Sequence, residues 1–380
     1  MVQVKQVEDE NMCSKYTADE YLKTQKSCIK GIRLPLYQFG KHSPLNDISF
    51  KMLKMPSCDP LEEQTLLESL LLAKWEERLS EGLFRYDVTL SEIKVIVGRR
   101  KFLAQLNESW TDTSLLQYEE KRKCDHGILF QTNWLKCHEE LLCCISSGEN
   151  TESKLISAAL VPSSSILVLI NATPVEYGHV FLLPCGVNGP LQFLDDRSLE
   201  MLLRIAVEMN NFSLCLFYEF STPRTACLYF QALFFSSLLP VEAMTADTFF
   251  SDSLGGIYVS TITGYPVKAL IFETSCNLKK MGQVIAEVLA HLQEKCILYN
   301  LLIRDCGKKI FLFLQPQVSD KSSILSPWEC WGYFLFKSRS EFDQATENAL
   351  LGRLAAASLD DAEFQGVKQF CCDVASKVAF

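Results

Sequence analysis

Ala226-Cys227-Leu228-Tyr229-Phe230-Gln231-Ala232 is the stretch on which the reading of this chain turns. In a half-buried strand successive side chains point to opposite faces. Cys227, Tyr229 and Gln231 therefore share one face, and Leu228, Phe230 and Ala232 share the other. The apolar run continues to Phe235, which predicts a strand over 227–235 carrying three hydrogen-bonding side chains in a row at i, i+2 and i+4. Periodicity by itself accounts equally well for an ordinary core strand, and the rest of the chain has to separate the two.

The chain has 380 residues, enough for two or three cores of ordinary size or one large domain built from two halves. Hydrophobic residues make up 48% and charged residues 22%, a globular composition that excludes long disorder. A formal net charge of −9 argues against a nucleic-acid or anionic-membrane surface, so neither is expected as a partner. Sixteen cysteines would suit a disulfide framework, but the first ten residues hold no apolar core of a secretory signal, and thiols kept inside the cell stay reduced. No Cys-x-x-Cys occurs, and Cys143-Cys144 and Cys371-Cys372 are adjacent pairs, which is not metal-ligand spacing. The cysteines read as small apolar fillers, and neither a metal nor a cofactor is expected. The longest apolar run, 226–240, is too short to span a bilayer. The expected location is the cytoplasm, or cytoplasm and nucleus together.

Residues 1–60 are weakly periodic apart from Gly31-Ile32-Arg33-Leu34-Pro35-Leu36-Tyr37 and read as an arm laid over a domain. Leu66, Leu67, Leu70, Leu71 and Trp75 recur at helical spacing and Gly82 supplies a stop, so a helix is predicted over 61–81. Segments 84–89 and 102–107 alternate as strands. The cluster Glu119-Glu120-Lys121-Arg122-Lys123 reads as a solvated face. Strands over 166–171 and 179–183 are joined by Ala172-Thr173-Pro174-Val175-Glu176-Tyr177-Gly178, a turn by its Pro and Gly. A helix over 197–210 and a strand over 214–217 precede the opening stretch. Beyond a Ser/Asp/Gly linker at 251–256 come a strand over 267–272, a helix over 278–295, and a hairpin of 299–303 with 310–313 turning at Asp305-Cys306-Gly307. The predicted fold class is α+β, antiparallel sheets flanked by helices, with an arm over 1–60, one half over 61–250 and a smaller half over 257–380.

Several segments in order, Trp75-Glu76-Glu77-Arg78, Gly82-Leu83-Phe84-Arg85-Tyr86-Asp87-Val88-Thr89, Ala104-Gln105-Leu106-Asn107-Glu108, Pro174-Val175-Glu176-Tyr177-Gly178-His179-Val180, Tyr265-Pro266-Val267 and Asp305-Cys306-Gly307 with Ile310-Phe311-Leu312, resemble the GDP-hexose phosphorylase family. The likeness is greatest to its plant GDP-L-galactose phosphorylase branch, within the histidine-triad and galactose-1-phosphate uridylyltransferase-like superfamily. The resemblance implies two histidine-triad-like halves in one chain and a GDP-hexose or guanine nucleotide as ligand. It also implies a metal-free reaction: a histidine attacks the α-phosphate of GDP-hexose, hexose 1-phosphate leaves, and inorganic phosphate takes the GMP to give GDP. The family's strand, Asn-His-Leu-His-Phe-Gln-Ala, falls on residues 226–232. Gln231 is retained, whereas Cys227 and Tyr229 stand where the two imidazoles would be.

Further departures lie at the phosphate end. The family's Tyr-Asn-Ser-Leu-Gly loop is replaced by Phe217-Tyr218-Glu219-Phe220-Ser221-Thr222-Pro223, which loses Gly and Asn and gains a carboxylate. A basic Lys-Arg-Pro-Thr-Glu segment is missing around 111–117. Tyr229 is either a nucleophile that needs a base or cation beside it, Arg224 being the one near in sequence, or a plain strand residue. Cys227 is either a nucleophile of lowered pKa or a filler thiol. His179 is either a sheet-supporting residue or part of the site, and Asn171 either reaches a ribose hydroxyl or closes its turn. Phe84, Arg85, Gln105 and Asn107 are retained motif positions that line the guanosine side or simply pack. His42, His126, His138 and His291 match no catalytic spacing. The expectation is a divergent, catalytically weak or inactive member acting through residual nucleotide binding, a protein partner or a homodimer. The alternative is an active GDP-L-galactose phosphorylase of ascorbate biosynthesis that uses Tyr229 or Cys227.

Overall fold

A computed structural model describes residues 31–41, 64–108, 140–185, 194–220, 228–252, 255–317 and 324–379. Cys227, Arg224, the 111–117 and 119–123 segments, and His42, His126 and His138 lie outside the described residues. The first part of the chain supplies strands β1 (Arg33–Phe39), β2 (Glu92–Val95), β3 (Leu103–Leu106), β4 (Leu141–Ser147), β5 (Lys154–Leu160), β6 (Ser165–Ile170), β7 (Val180–Pro184), β8 (Leu214–Phe220) and β9 (Phe230–Phe234). The second supplies β10 (Ala246–Asp252), β11 (Ile257–Ile262), β12 (Ala269–Thr274), β13 (Leu298–Arg304), β14 (Lys309–Gln315) and β15 (Tyr333–Phe336). Twelve strands form one sheet, in the order β10-β11-β12-β14-β13-β8-β9-β7-β6-β4-β1-β5, and β15-β3-β2 form a small second sheet. Pairing is antiparallel except for β1 with β4 and β15 with β3, which run parallel. The fold class is α+β.

Helices α1 (Leu66–Ser80), α2 (Asp196–Met209), α3 (Leu278–Glu294) and α7 (Asp361–Ala379) cover one face of the large sheet and share one apolar core with it. Their ends follow from local chemistry. Thr65, Asp195 and Asn277 each accept a backbone N–H of the first turn, which satisfies a donor the helix cannot. The short helices α4 (Pro327–Trp331), α5 (Arg339–Gln344) and α6 (Glu347–Ala356), with the small sheet, build a second core on the opposite face over β8, β12, β13 and β14. A third cluster, Leu34, Leu36, Leu141, Cys144, Leu167, Leu169, Phe181 and Leu183, occupies the rest of that face. Among the described residues no helix is long and apolar enough to cross a membrane.

Three expectations need correction. The 33–39 segment is not an arm laid over a domain: β1 is an internal strand between β4 and β5, because its apolar side chains feed both faces of the sheet. Segment 84–89 is not a strand. Arg85 N–H is tied to Ala172 O, and Asp87 accepts from Thr89 N–H to start a 3₁₀ turn over Val88–Leu90, so no neighbouring strand is paired. The strand predicted over 227–235 begins only at Phe230, where pairing with β7 begins, with β8 pairing from Gln231, leaving Tyr229 just before it. The sequence reading also passed over β4, whose Leu141-Leu142-Cys143-Cys144-Ile145 is buried on both faces and so has no alternation, and β5, which is apolar at Leu155, Ile156, Ala158, Ala159 and Leu160 but buried on neither face and so has none either.

Candidate functional site

Strand β9 puts Leu228, Phe230, Ala232 and Phe234 into the helix-side core. Tyr229, Gln231 and Leu233 therefore face the other way, where Tyr229 packs on the third cluster and Leu233 on the second. Gln231, between them, stands at the junction of the two. Tyr229 is half-buried, its ring edge-on to Phe181 with centroids 5.9 Å apart. Gln231 is opposite Phe217 in the β8 register, and Glu219, two residues along β8, shares that face.

Gln231 is held by His179. Val175 N–H donates to His179 Nδ1 at 3.0 Å, so the ring proton sits on Nε2 and donates to Gln231 Oε1 at 2.9 Å. With its carbonyl thus occupied, the Gln231 amide keeps its N–H groups for another direction. The imidazole is fully buried, and burial pushes its pKa down to about 4 against a partial lift from the Gln231 bond. It is neutral at pH 7 and bonded through both nitrogens. His291, the other histidine among the described residues, is on α3 and stacks on Phe370 of α7 with centroids 3.9 Å apart. No described imidazole is free to attack a phosphate on the β9 face.

Loop 171–179 is the hub to which the other candidates attach. Asn171 Oδ1 accepts from Thr173 N–H and its hydroxyl, at 3.0 and 3.1 Å, and its Nδ2 is 3.3 Å from His179 Nδ1, so its side chain closes the loop. Trp75 Nε1–H donates to His179 O at 3.3 Å, and the indole packs on Phe84 and Tyr177. Glu76 accepts from the Tyr177 hydroxyl. Arg85 reaches the loop through its backbone N–H, and Tyr86 OH donates to Pro174 O at 2.7 Å while Asn107 bonds the same phenol. Phe84 thus packs against Trp75 of α1.

Glu176, which is half-buried, and Tyr333, which is buried, are groups that the sequence reading did not single out. Burial raises the Glu176 carboxyl pKa, while the Tyr177 N–H and the Tyr333 hydroxyl, at 3.3 and 3.1 Å, pull it back. The only sequence signal was an acidic residue set between Val175 and Tyr177 in a retained motif. Gln105 is 1% exposed on β3, and among the described residues neither the nitrogen nor the oxygen of its amide has a hydrogen-bond partner. Among the described residues no group of three His, Cys, Asp or Glu side chains is placed to hold a metal ion.

The sequence matches the family described as GDPGP1-like, N-terminal domain, over residues 66–233 and GDPGP1-like, C-terminal domain, over residues 240–378. GDP-L-galactose phosphorylase 1 of Arabidopsis thaliana is 31% identical over 370 residues, 90% of this chain and 80% of that protein. GDP-D-glucose phosphorylase 1 of Bos taurus is 23% identical over 330 residues, 79% of this chain and 82% of that protein. The crystal structure of yeast Ap4A phosphorylase Apa2 in complex with Ap4A aligns with a TM-score of 0.50 at 13% identity, covering 78% of this chain and 98% of that one, which is a likeness of fold. Two matched domains in tandem and a relative above 30% identity across nine-tenths of the chain carry the conclusion that the chain belongs to the GDPGP1-like family of GDP-hexose phosphorylases.

Proposed function

We propose that this chain is a guanine-nucleotide or GDP-hexose binding member of its family in which covalent nucleotidyl transfer is weak or absent. The observation that carries the reading is the pair Gln231 and Tyr229. The amide that the family resemblance assigns to the phosphate is kept and held by His179, while the position that the resemblance assigns to the nucleophile carries a phenol packed on Phe181. Glu219 supports it, since a carboxylate on the same face opposes an approaching phosphate. The family relationship supports the ligand class, as its relatives are phosphorylases named for GDP-sugars. A protein partner or a second copy is the route by which such a binder would act. Loss of a covalent nucleophile lowers turnover by about four to six orders of magnitude even where binding survives.

The test is to incubate pure protein with GDP-L-galactose, GDP-D-glucose and inorganic phosphate and to follow GDP release. The expected rate is at least ~10³-fold below an ordinary enzymic turnover of about 10 s⁻¹. GDP at a hundred times its dissociation constant should nevertheless stabilise the fold by about 2.7 kcal/mol. Robust release would reject the reading. The half-exposed ring of Tyr229 favours one rival, an active phosphorylase attacking through the phenolate. That rival requires Tyr229→Phe to abolish turnover and a GMP adduct to be trappable. On the reading preferred here, Tyr229→Phe leaves the GDP-induced stabilisation unchanged.

A further inference from the structure

Of the buried side-chain polar atoms without a partner among the described residues, only Gln105 contributes two, the donor and the acceptor of one amide. The residue is 1% exposed. A buried carboxamide bonded at neither end is destabilising, and an aliphatic side chain of similar volume at that point of β3 would remove the penalty. Native proteins keep such groups where an ordered water, an ion or a ligand completes them.

The register fixes which way Gln105 faces. It pairs with Ile93 of β2 and Leu335 of β15, so it shares a face with Leu103, Asn107 and Tyr333, while Ala104, Leu106 and Phe334 turn to the opposite face. Phe336, also on that opposite face, packs on Phe342 of α5. On the Gln105 face, Asn107 bonds the Tyr86 phenol, which donates to Pro174 O, and the Tyr333 hydroxyl reaches Glu176. Through Asn107 and Tyr333 the Gln105 face of the small sheet, which also carries the apolar Ile93, Leu103 and Leu335, is therefore tied to the loop that holds His179 and, through it, Gln231.

We infer that Gln105 reads the nucleobase of the bound nucleotide, its carboxamide donating to the carbonyl and accepting from the ring N–H of a purine lactam such as guanine. A free cis donor and acceptor matches that edge in a way that neither a carboxylate nor an ammonium does. The inference rests on the proposed nucleotide-binding function and adds the residue that recognises the base. Gln105 is a specificity residue here and takes no part in chemistry.

The experiment measures binding of GDP and of 1-methyl-GDP, whose ring N–H is blocked, by calorimetry and thermal shift on the unsubstituted chain, Gln105→Leu and Gln105→Met. The unsubstituted chain should bind GDP at least tenfold more tightly than 1-methyl-GDP. Both variants should lose at least tenfold in GDP affinity and show no preference between the two, while without ligand they melt no lower than the unsubstituted chain. A purely structural Gln105 would give the opposite pattern, a lowered melting temperature with GDP affinity and preference kept, and that result overturns the inference alone. Absence of any GDP effect on the unsubstituted chain overturns it together with the proposed function.

Discussion

At the scale of single residues, His179 shows how one burial decides several roles. An imidazole bonded at Nδ1 by Val175 N–H and at Nε2 by Gln231 orients its neighbour and is closed to other chemistry. It also makes stability depend on pH with a definite sign. The unfolded chain takes up a proton as pH falls through about 6.5, whereas the folded chain resists until about 4. This contribution is intact above pH 6.5 and is lost as pH falls through that window. Between pH 7.5 and pH 5 the folded state should lose about 2 kcal/mol from this group. Denaturant unfolding of the parent and of His179→Gln at both pH values checks it: the variant is less stable at pH 7.5, but its loss on going to pH 5 is smaller by about 2 kcal/mol. Glu176, whose raised carboxyl pKa acts in the opposite sense, is common to both proteins and cancels in the comparison.

At the scale of elements, loop 171–179 is the piece on which the site depends. It bonds α1 through Trp75 and Glu76, the 84–87 segment through Ala172 O and Pro174 O, β9 through Tyr177 O, and β15 through Glu176. Gly178 lets it turn, with φ of +67° and a position where a Cβ would lie 2.5 Å from the Phe234 ring. Gly178→Ala should therefore destabilise the fold by about 2 kcal/mol or more, from the left-handed backbone and the clash together. Urea unfolding measures the loss, and a variant as stable as the parent would show that the loop relaxes freely. The sequence marked this turn by its Pro and Gly, and it marked α1, α2, α3 and the β13–β14 hairpin by spacing. It was silent on β4 and β5, since one is buried on both faces and the other on neither, so neither shows a period of two.

At the scale of the molecule, the two halves share a sheet and a core. Strand β8 pairs with β13 from Leu216↔Ile303 to Phe220↔Tyr299, and α2 and α3 contribute to one apolar cluster. Beside that junction Arg304 bonds Glu242 at 3.1 Å, Leu214 O at 3.0 Å and Cys215 Sγ at 3.3 Å, both ion-pair partners being nearly excluded from solvent. Glu242→Ala should cost about 3–5 kcal/mol because it strands a buried guanidinium, and replacing Arg304 by Met as well should recover part of the loss. Because core and sheet are continuous, the chain should unfold in one transition, with tryptophan fluorescence and far-UV circular dichroism coincident. Two separated transitions would show that the halves fold as independent units.

The sequence by itself determined the α+β class, helices α1, α2 and α3, the membership implied by its dispersed motifs, and the presence of Cys227 and Tyr229 at the positions where the family resemblance leads one to expect imidazoles, since spacing and residue identity are local properties. Only the tertiary structure decided what those motifs do together. Trp75, Arg85, Tyr86, Asn107 and His179 meet at one loop, β1 enters the sheet as an inner strand, and Gln105 is buried with its amide unbonded. Those facts depend on which distant segments pack against one another, a long-range outcome of burying apolar surface that no window of the sequence contains.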